Sequence, residues 1–186
     1  MYTIAEYEAL RGTIRERGTV RMCLILGGLS AWGVLALGLN ITTFERATTL
    51  VPFLVLAATF EISFFIHTGV ERVGRYLQVF YEEPALSERS ESKGESNGWE
   101  TTIIAYGRNN PGGLDPLFTT LFAVVAVVNF LASFPTAARH VGWIGISFIA
   151  HLTFGWRLVT ARRLSASQRA LDLERFRAIR NAPVSK

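Results

Sequence analysis

Cysteine and lysine are nearly missing from this chain of 186 residues: Cys23 stands alone, and only Lys93 and Lys186 interrupt a basic complement of 19 that is otherwise arginine. A single cysteine excludes an internal disulfide and any cysteine-rich zinc spacing. Cys23 lies where an apolar run meets its basic flank and is assigned to packing, with acylation as the alternative. The chain also lacks a phosphate-binding glycine loop, GxSxG, HExxH and a strand-borne nucleotide fingerprint, so no enzyme class, cofactor or metal is indicated. Charge is scarce, at 18% of residues, and the basic residues flank apolar runs instead of alternating with exposed aromatics. A pI of 9.6 and a net charge of +4 therefore do not indicate direct nucleic-acid binding. Glu6, Glu8 and Glu16 sit among the first arginines, which is unlike the basic start of a cleaved signal peptide. No internal repeat of fixed period is visible.

What is present is hydrocarbon. Apolar residues make up 49% of the chain and its mean hydropathy is +0.27, the signature of an integral membrane protein. Four segments approach the ~20 residues needed to cross a bilayer core: Met22 to Leu39, Thr48 to Thr68, Leu117 to Phe134 and Val141 to Thr160. The first is rich in small residues, including Gly27, Gly28, Gly33 and Gly38, which let helix backbones approach closely in lipid. Pro52 falls in the first turn of the second, where its missing donor costs little. Short polar turns, Asn40 to Arg46 and Pro135 to His140, join the members of two hairpins. Trp143 and Trp156 bracket the fourth segment like an aromatic belt.

Outside the spans, Ile4, Tyr7, Leu10 and Ile14 mark an amphipathic helix over residues 2–17. The second span is expected to continue as a helix through Val70, Val73, Leu77 and Phe80 until Pro84 stops it. Ala85 to Gly98 is a tether by composition. Arg162 to Arg180 reads as a basic amphipathic helix. The expected fold is an all-α membrane protein with four transmembrane helices and cytoplasmic helical extensions. Its parts are a cytoplasmic helix (1–21), a first hairpin (22–68), a helix extension with linker and loop (69–115), a second hairpin (116–160) and a basic C-terminal helix (161–186). Four basic residues precede the first span, five lie in the second loop and eight follow from Arg157, against one in each of the other loops. The positive-inside rule then places both termini in the cytoplasm.

The second span carries the unusual residues. A carboxylate within a span costs about 2.5 to 3.5 kcal/mol on insertion scales, so Glu61 is expected to face a partner, a cavity or a pathway. Counted from the cytoplasmic ends, Glu61 lies seven residues deep, His151 nine and Asn129 thirteen. Glu61 and His151 thus differ by about 3 Å in depth and are expected to pair. Such a pair either fixes helix packing or lines a hydrated pathway. Glu61, Thr68 and Arg72 share a helix face and extend the polar stripe toward the cytoplasmic mouth. His67, Glu71 and Arg75 form a second stripe at four-residue spacing, expected to be a solvated ladder. A metal site from Glu61, His67, Glu71 and His151 lacks the Glu-x-x-His spacing of di-iron bundles. Trp99, Tyr106, Arg108 and Asp115 are the candidates for binding a soluble cytoplasmic partner.

In outline this pattern resembles small bacterial inner-membrane proteins with four spans and cytoplasmic tails, a class that includes pore-forming effectors of phage-defence systems. Four short spans enclose little on their own, so with the Glu61 stripe the expectation is a homo-oligomeric channel in the lipid bilayer, gated from the cytoplasmic side, to which the resemblance adds antiviral defence. A membrane-anchored scaffold for a soluble partner is the first alternative; a small proton-coupled transporter or membrane enzyme is the second.

Overall fold

The computed structural model describes residues 4–41, 50–85, 116–132 and 141–182, and among these it is helical with no strand. Helix α1 is Ile4–Ile41; α2 is Leu50–Leu77 and continues through a π-helical turn, Gln78–Glu82, to Ala85; α3 is Pro116–Leu131; α4 is Val141–Asn181. Three helices, α1, α2 and α4, are long and apolar enough to cross a membrane. Helix α3 has 16 residues, about 24 Å at ~1.5 Å per residue, and is shorter than a hydrocarbon core of ~30 Å.

The amphipathic start and the first apolar run, separable by composition, belong to one helix of 38 residues. Likewise the fourth apolar run and the basic segment form one helix of 41 residues. No helix-stopping proline lies at either junction, and Gly18 alone does not interrupt α1.

The chain forms two compact units, and α1, α2 and α4 each contribute to both. An apolar unit comprises Val20–Phe65 and Leu114–Arg162; a polar unit comprises Met1–Thr19, Ile66–Gly113 and Arg163–Lys186. In the apolar unit, Arg21 of α1 lies over the ring of Phe118 at the start of α3, and Trp32 bonds Asn129 near the end of α3. Helices α1 and α3 therefore run in the same direction. On the other pair, Phe53 meets His151 at 4.2 Å, and farther along both helices Glu61 meets Arg157. Helices α2 and α4 are thus parallel to each other, and the contact of Phe60 with Phe118 sets them antiparallel to α3. The result is an up-down-up-down bundle of four helices.

Its core is aromatic. Phe60 is fully buried, with Phe122 at 5.3 Å and Phe154 at 5.6 Å edge-on and Phe118 at 5.8 Å. Such ring pairs contribute about 0.5–1.5 kcal/mol each beyond area burial. Ile25, Leu56, Ala126 and Leu158 complete the interior, while Leu26, Val34, Leu37, Phe65, Val127, Ile149 and Leu152 face outward. So much outward hydrocarbon on one unit is foreign to a water-facing surface.

In the polar unit, α2 and α4 pair at sequence offsets of 94 and 97 through Glu71 with Ser165 and Arg75 with Asp172. Tyr76, Phe80 and Phe176 form an aromatic cluster beside them, with ring centroids 4.7 to 6.2 Å apart. From α1, Tyr7 packs on Tyr81, and Glu6 accepts a hydrogen bond from the Tyr76 hydroxyl at 3.3 Å.

The expectation that Pro84 stops α2 requires correction, because the helix passes it. The N–H of Glu83 bonds to the carbonyl of Gln78, five residues back, which widens the turn and admits the proline ring. In that pattern the Val79 carbonyl would accept from residue 84, where proline has no N–H. Arg180 Nη1 fills the gap by donating to Val79 O at 2.9 Å.

Glycine is required at one close approach. A Cβ on Gly28 would overlap the Thr59 side chain, whose β-branched atoms have little freedom to retreat, whereas Gly27 and Gly33 have open space. Gly28→Val should lower stability by about 1–3 kcal/mol through overpacking. Thermal unfolding in detergent micelles should show a lower Tm for Gly28→Val, while Gly27→Ala and Gly33→Ala unfold at or above the wild-type temperature.

Candidate functional site

Glu61 stands on the outer surface of the apolar unit. Its carboxylate accepts a hydrogen bond from Arg157 Nη2 at 2.8 Å and lies 2.7 Å from Nε in the same ion pair, with the Glu61 and Arg157 side chains 46% and 33% exposed. The guanidinium also lies over the ring of Phe64, 5.0 Å from its centroid. Arg157 is thereby oriented by a two-point contact to the acid and a cation–π contact to the ring.

This corrects the expected partnership of Glu61 with His151. The register of the two helices separates them: His151 stands opposite Phe53, eight residues before Glu61, while Glu61 stands opposite Arg157. His151 is also turned inward, where Glu61 is exposed. The missed signal was Arg157 itself, read from the sequence only as a marker of topology.

His151 belongs to a polar chain linking three helices. Its Nδ1 is 2.7 Å from the Ser147 carbonyl, which can only accept, so the ring proton sits on Nδ1. Nε2 is then an acceptor for Asn129 Nδ2 at 3.2 Å, and Asn129 Oδ1 accepts from Trp32 Nε1 at 3.0 Å. The donors and acceptors are mutually consistent, and they tie α1, α3 and α4 together inside the bundle. Phe53 and Phe130 flank the imidazole at 4.2 and 5.2 Å. This geometry fits helix fixation rather than a route for ions. Asn129 and His151 meet each other, and Glu61 meets Arg157 instead of either.

Thr68, Arg72, His67, Glu71 and Arg75 all lie in the polar unit. His67 Nε2 is 3.6 Å from Glu71, whose other oxygen accepts from Arg75 Nη2 at 2.7 Å and from Ser165 at 3.1 Å. The ladder is not a solvated one. The Arg75 side chain is only 5% exposed, because its second nitrogen donates to Asp172 on α4 at 2.7 Å. Arg72, at 60% exposure, reaches the same Asp172 oxygen at 3.6 Å from the outside. Asp172 is the site residue that helix periodicity alone could not single out, since its importance depends on a neighbour 97 positions away.

Farther along, Glu83 binds Arg177 at 2.6 Å and Arg180 at 2.9 Å. The hydrogen bond to Glu83 raises the Arg177 pKa above the ordinary arginine value, against the opposing effect of burial and with added coulombic help from the same acid. Arg177 therefore keeps its charge at any physiological pH.

Among the described residues no group of three or more His, Cys, Asp or Glu side chains is arranged to hold a metal. Glu61 and His151 belong to the apolar unit, while His67 and Glu71 belong to the polar one. Trp99, Tyr106, Arg108 and Asp115 lie outside the described residues.

The class these observations define is a protein that is all-helical among the described residues, where three apolar helices have membrane-spanning length. Comparison with protein families, with curated proteins and with solved structures returns no match, so function must be argued from the chain's own chemistry.

Removing the inner acid of the polar unit should be costly. Asp172→Asn leaves a buried guanidinium half compensated and should destabilise the protein by about 3 kcal/mol. Arg72→Gln, at an exposed position, should cost under ~1 kcal/mol. Equal unfolding temperatures for the two variants would contradict the burial of Arg75.

Proposed function

We propose that the chain is a four-span membrane protein that assembles with copies of itself into an ion channel, with the Glu61 face of the apolar unit lining the pathway. One observation carries the reading: the acid and its arginine face outward, while the interior of the bundle is filled by phenylalanine. A single bundle therefore offers no polar route through its core. After Glu61 the α2 sequence carries no formal charge until Glu71, ten residues on, which supports a place for the carboxylate at hydrocarbon depth. Charge at that depth is stable only where water, protein or a snorkelling path reaches it. A hydrated seam between copies supplies such a path, and closed rotational symmetry is the usual way for copies to enclose one.

Four crossings are supported by direction. Helices α2 and α4 run parallel in the apolar unit, so the chain between them must return, and α3 is the apolar element that does so. Both termini then lie on the side where arginine is concentrated, the cytoplasmic side by the positive-inside rule. The polar unit supports a second reading, a membrane-anchored scaffold, because it has its own aromatic cluster and buried ion network. In a scaffold, deletion of residues 99–113 abolishes capture of a soluble partner and vesicle flux is absent throughout.

The channel reading is tested in liposomes and nanodiscs. Purified protein should be recovered as a defined multimer by native mass spectrometry and should release entrapped ions. Glu61→Gln should change that flux. His151→Ala removes the hydrogen bonds to Asn129 and the Ser147 carbonyl, so it should lower stability by about 1–3 kcal/mol yet leave flux per folded protein unaltered. A monomeric, ion-tight protein would end the channel assignment.

A further inference from the structure

By sequence Glu61 is expected to pair with His151; the structure puts the guanidinium of Arg157 beside it. We infer that Arg157 is the specificity-determining partner of Glu61, cancelling the carboxylate so that a permeating ion meets a lining with no net charge. The inference rests on the channel reading and assigns the ion preference of that same site.

Three features separate this pair from an ordinary surface ion pair. First, the contact is two-point, Nε to Oε1 at 2.7 Å and Nη2 to Oε2 at 2.8 Å, so each carboxylate oxygen is engaged by the same guanidinium. Second, Arg157 has an anchor that does not depend on Glu61, because Phe64 holds the guanidinium 5.0 Å from its ring centroid. Loss of the acid therefore leaves the arginine in place, still facing outward. Third, both side chains are substantially exposed, at 46% and 33%, in a unit whose exposed side chains include Leu54, Ile62, Phe65, Leu152 and Trp156. The next formal charge of that unit along α4 is Arg162, five residues beyond Arg157.

Rings of charged side chains select ions by the sign of the charge they present. A lining of Glu61 alone would favour cations, and a lining of Arg157 alone would favour anions. With both present, the two signs offset each other within a few ångströms. The wild-type pathway should then discriminate weakly by charge and chiefly by size and hydration. Exposure at both positions makes Gln substitutions compatible with the fold, since neither side chain supports the aromatic core.

The test is the reversal potential of purified protein in phosphatidylethanolamine–phosphatidylglycerol bilayers under a potassium chloride gradient. Wild type should show a potassium-to-chloride permeability ratio near unity. Arg157→Gln should raise the ratio several-fold, Glu61→Gln should lower it several-fold, and Glu61→Gln/Arg157→Gln should return it close to wild type. Arg157→Lys keeps the charge and should stay near wild type. If Arg157→Gln fails to fold, Glu61→Gln alone decides: anion preference supports the inference, and mere loss of selectivity overturns it. A conducting protein whose ratio ignores Arg157→Gln, or shifts the same way in both single variants, removes Arg157 from the pathway and leaves the channel standing. A wild type that never conducts overturns the channel reading and this inference with it.

Discussion

Phenylalanine fills the centre of the apolar unit, and that filling decides where its polar groups can go. Phe60 is surrounded by Phe118, Phe122 and Phe154 with ring centroids 5.3 to 5.8 Å away, so the interior is dry and closely packed. A polar side chain that turns inward must bring its own partners. The chain from Trp32 through Asn129 to His151 and Ser147 does this, each donor meeting one acceptor. A carboxylate has no such arrangement available among rings, because its ionised form needs several donors. Glu61 accordingly takes the outer face, where Arg157 meets both carboxylate oxygens from one rigid group, donating a hydrogen bond from Nη2.

The polar unit solves the same problem in the opposite sense. There the buried group is a guanidinium, and two acids converge on it from different helices. Arg75 receives Glu71 from its own helix and Asp172 from α4, both at 2.7 Å. Glu71 in turn accepts from Ser165, so little of its hydrogen-bonding capacity is left idle. A satisfied buried network fixes the register of the helices that carry it, since a slip of one residue breaks every member at once. The recurring offsets of 94 to 97 between α2 and α4 in this unit express that constraint.

How much of this was legible in the sequence depends on the range of the interaction. Apolar runs are local, so the membrane-length segments and their helical character could be read directly, as could the pairing of Glu71 with Arg75 four residues on. Depth counted inward from span ends sets Glu61 level with His151, and it fails because the apolar ends of two neighbouring helices need not be level: in the fold His151 stands opposite Phe53, and Glu61 stands opposite Arg157. Asp172 was invisible for a related reason: in its own segment it is one acid among arginines, and only the folded position of α2 gives it a buried partner.

The end of α2 shows how one proline propagates through a fold. A helix normally ends before such a residue because the ring removes a donor and crowds a carbonyl. Here the turn widens to a five-residue spacing, and the cost is concentrated on one unmatched acceptor, Val79 O. An unpaired buried carbonyl is destabilising by an amount comparable to a lost hydrogen bond. Arg180 removes that penalty and binds Glu83 with the same nitrogen, while Arg177 holds the other oxygen of Glu83. The last turn of α2 and the last turns of α4 are therefore mutually dependent: without the arginines the π turn has an orphan acceptor, and without Pro84 they would meet an ordinary helix whose carbonyls are already bonded. A basic C-terminal segment that looks from composition like a general electrostatic surface thus has a specific structural task at its tip.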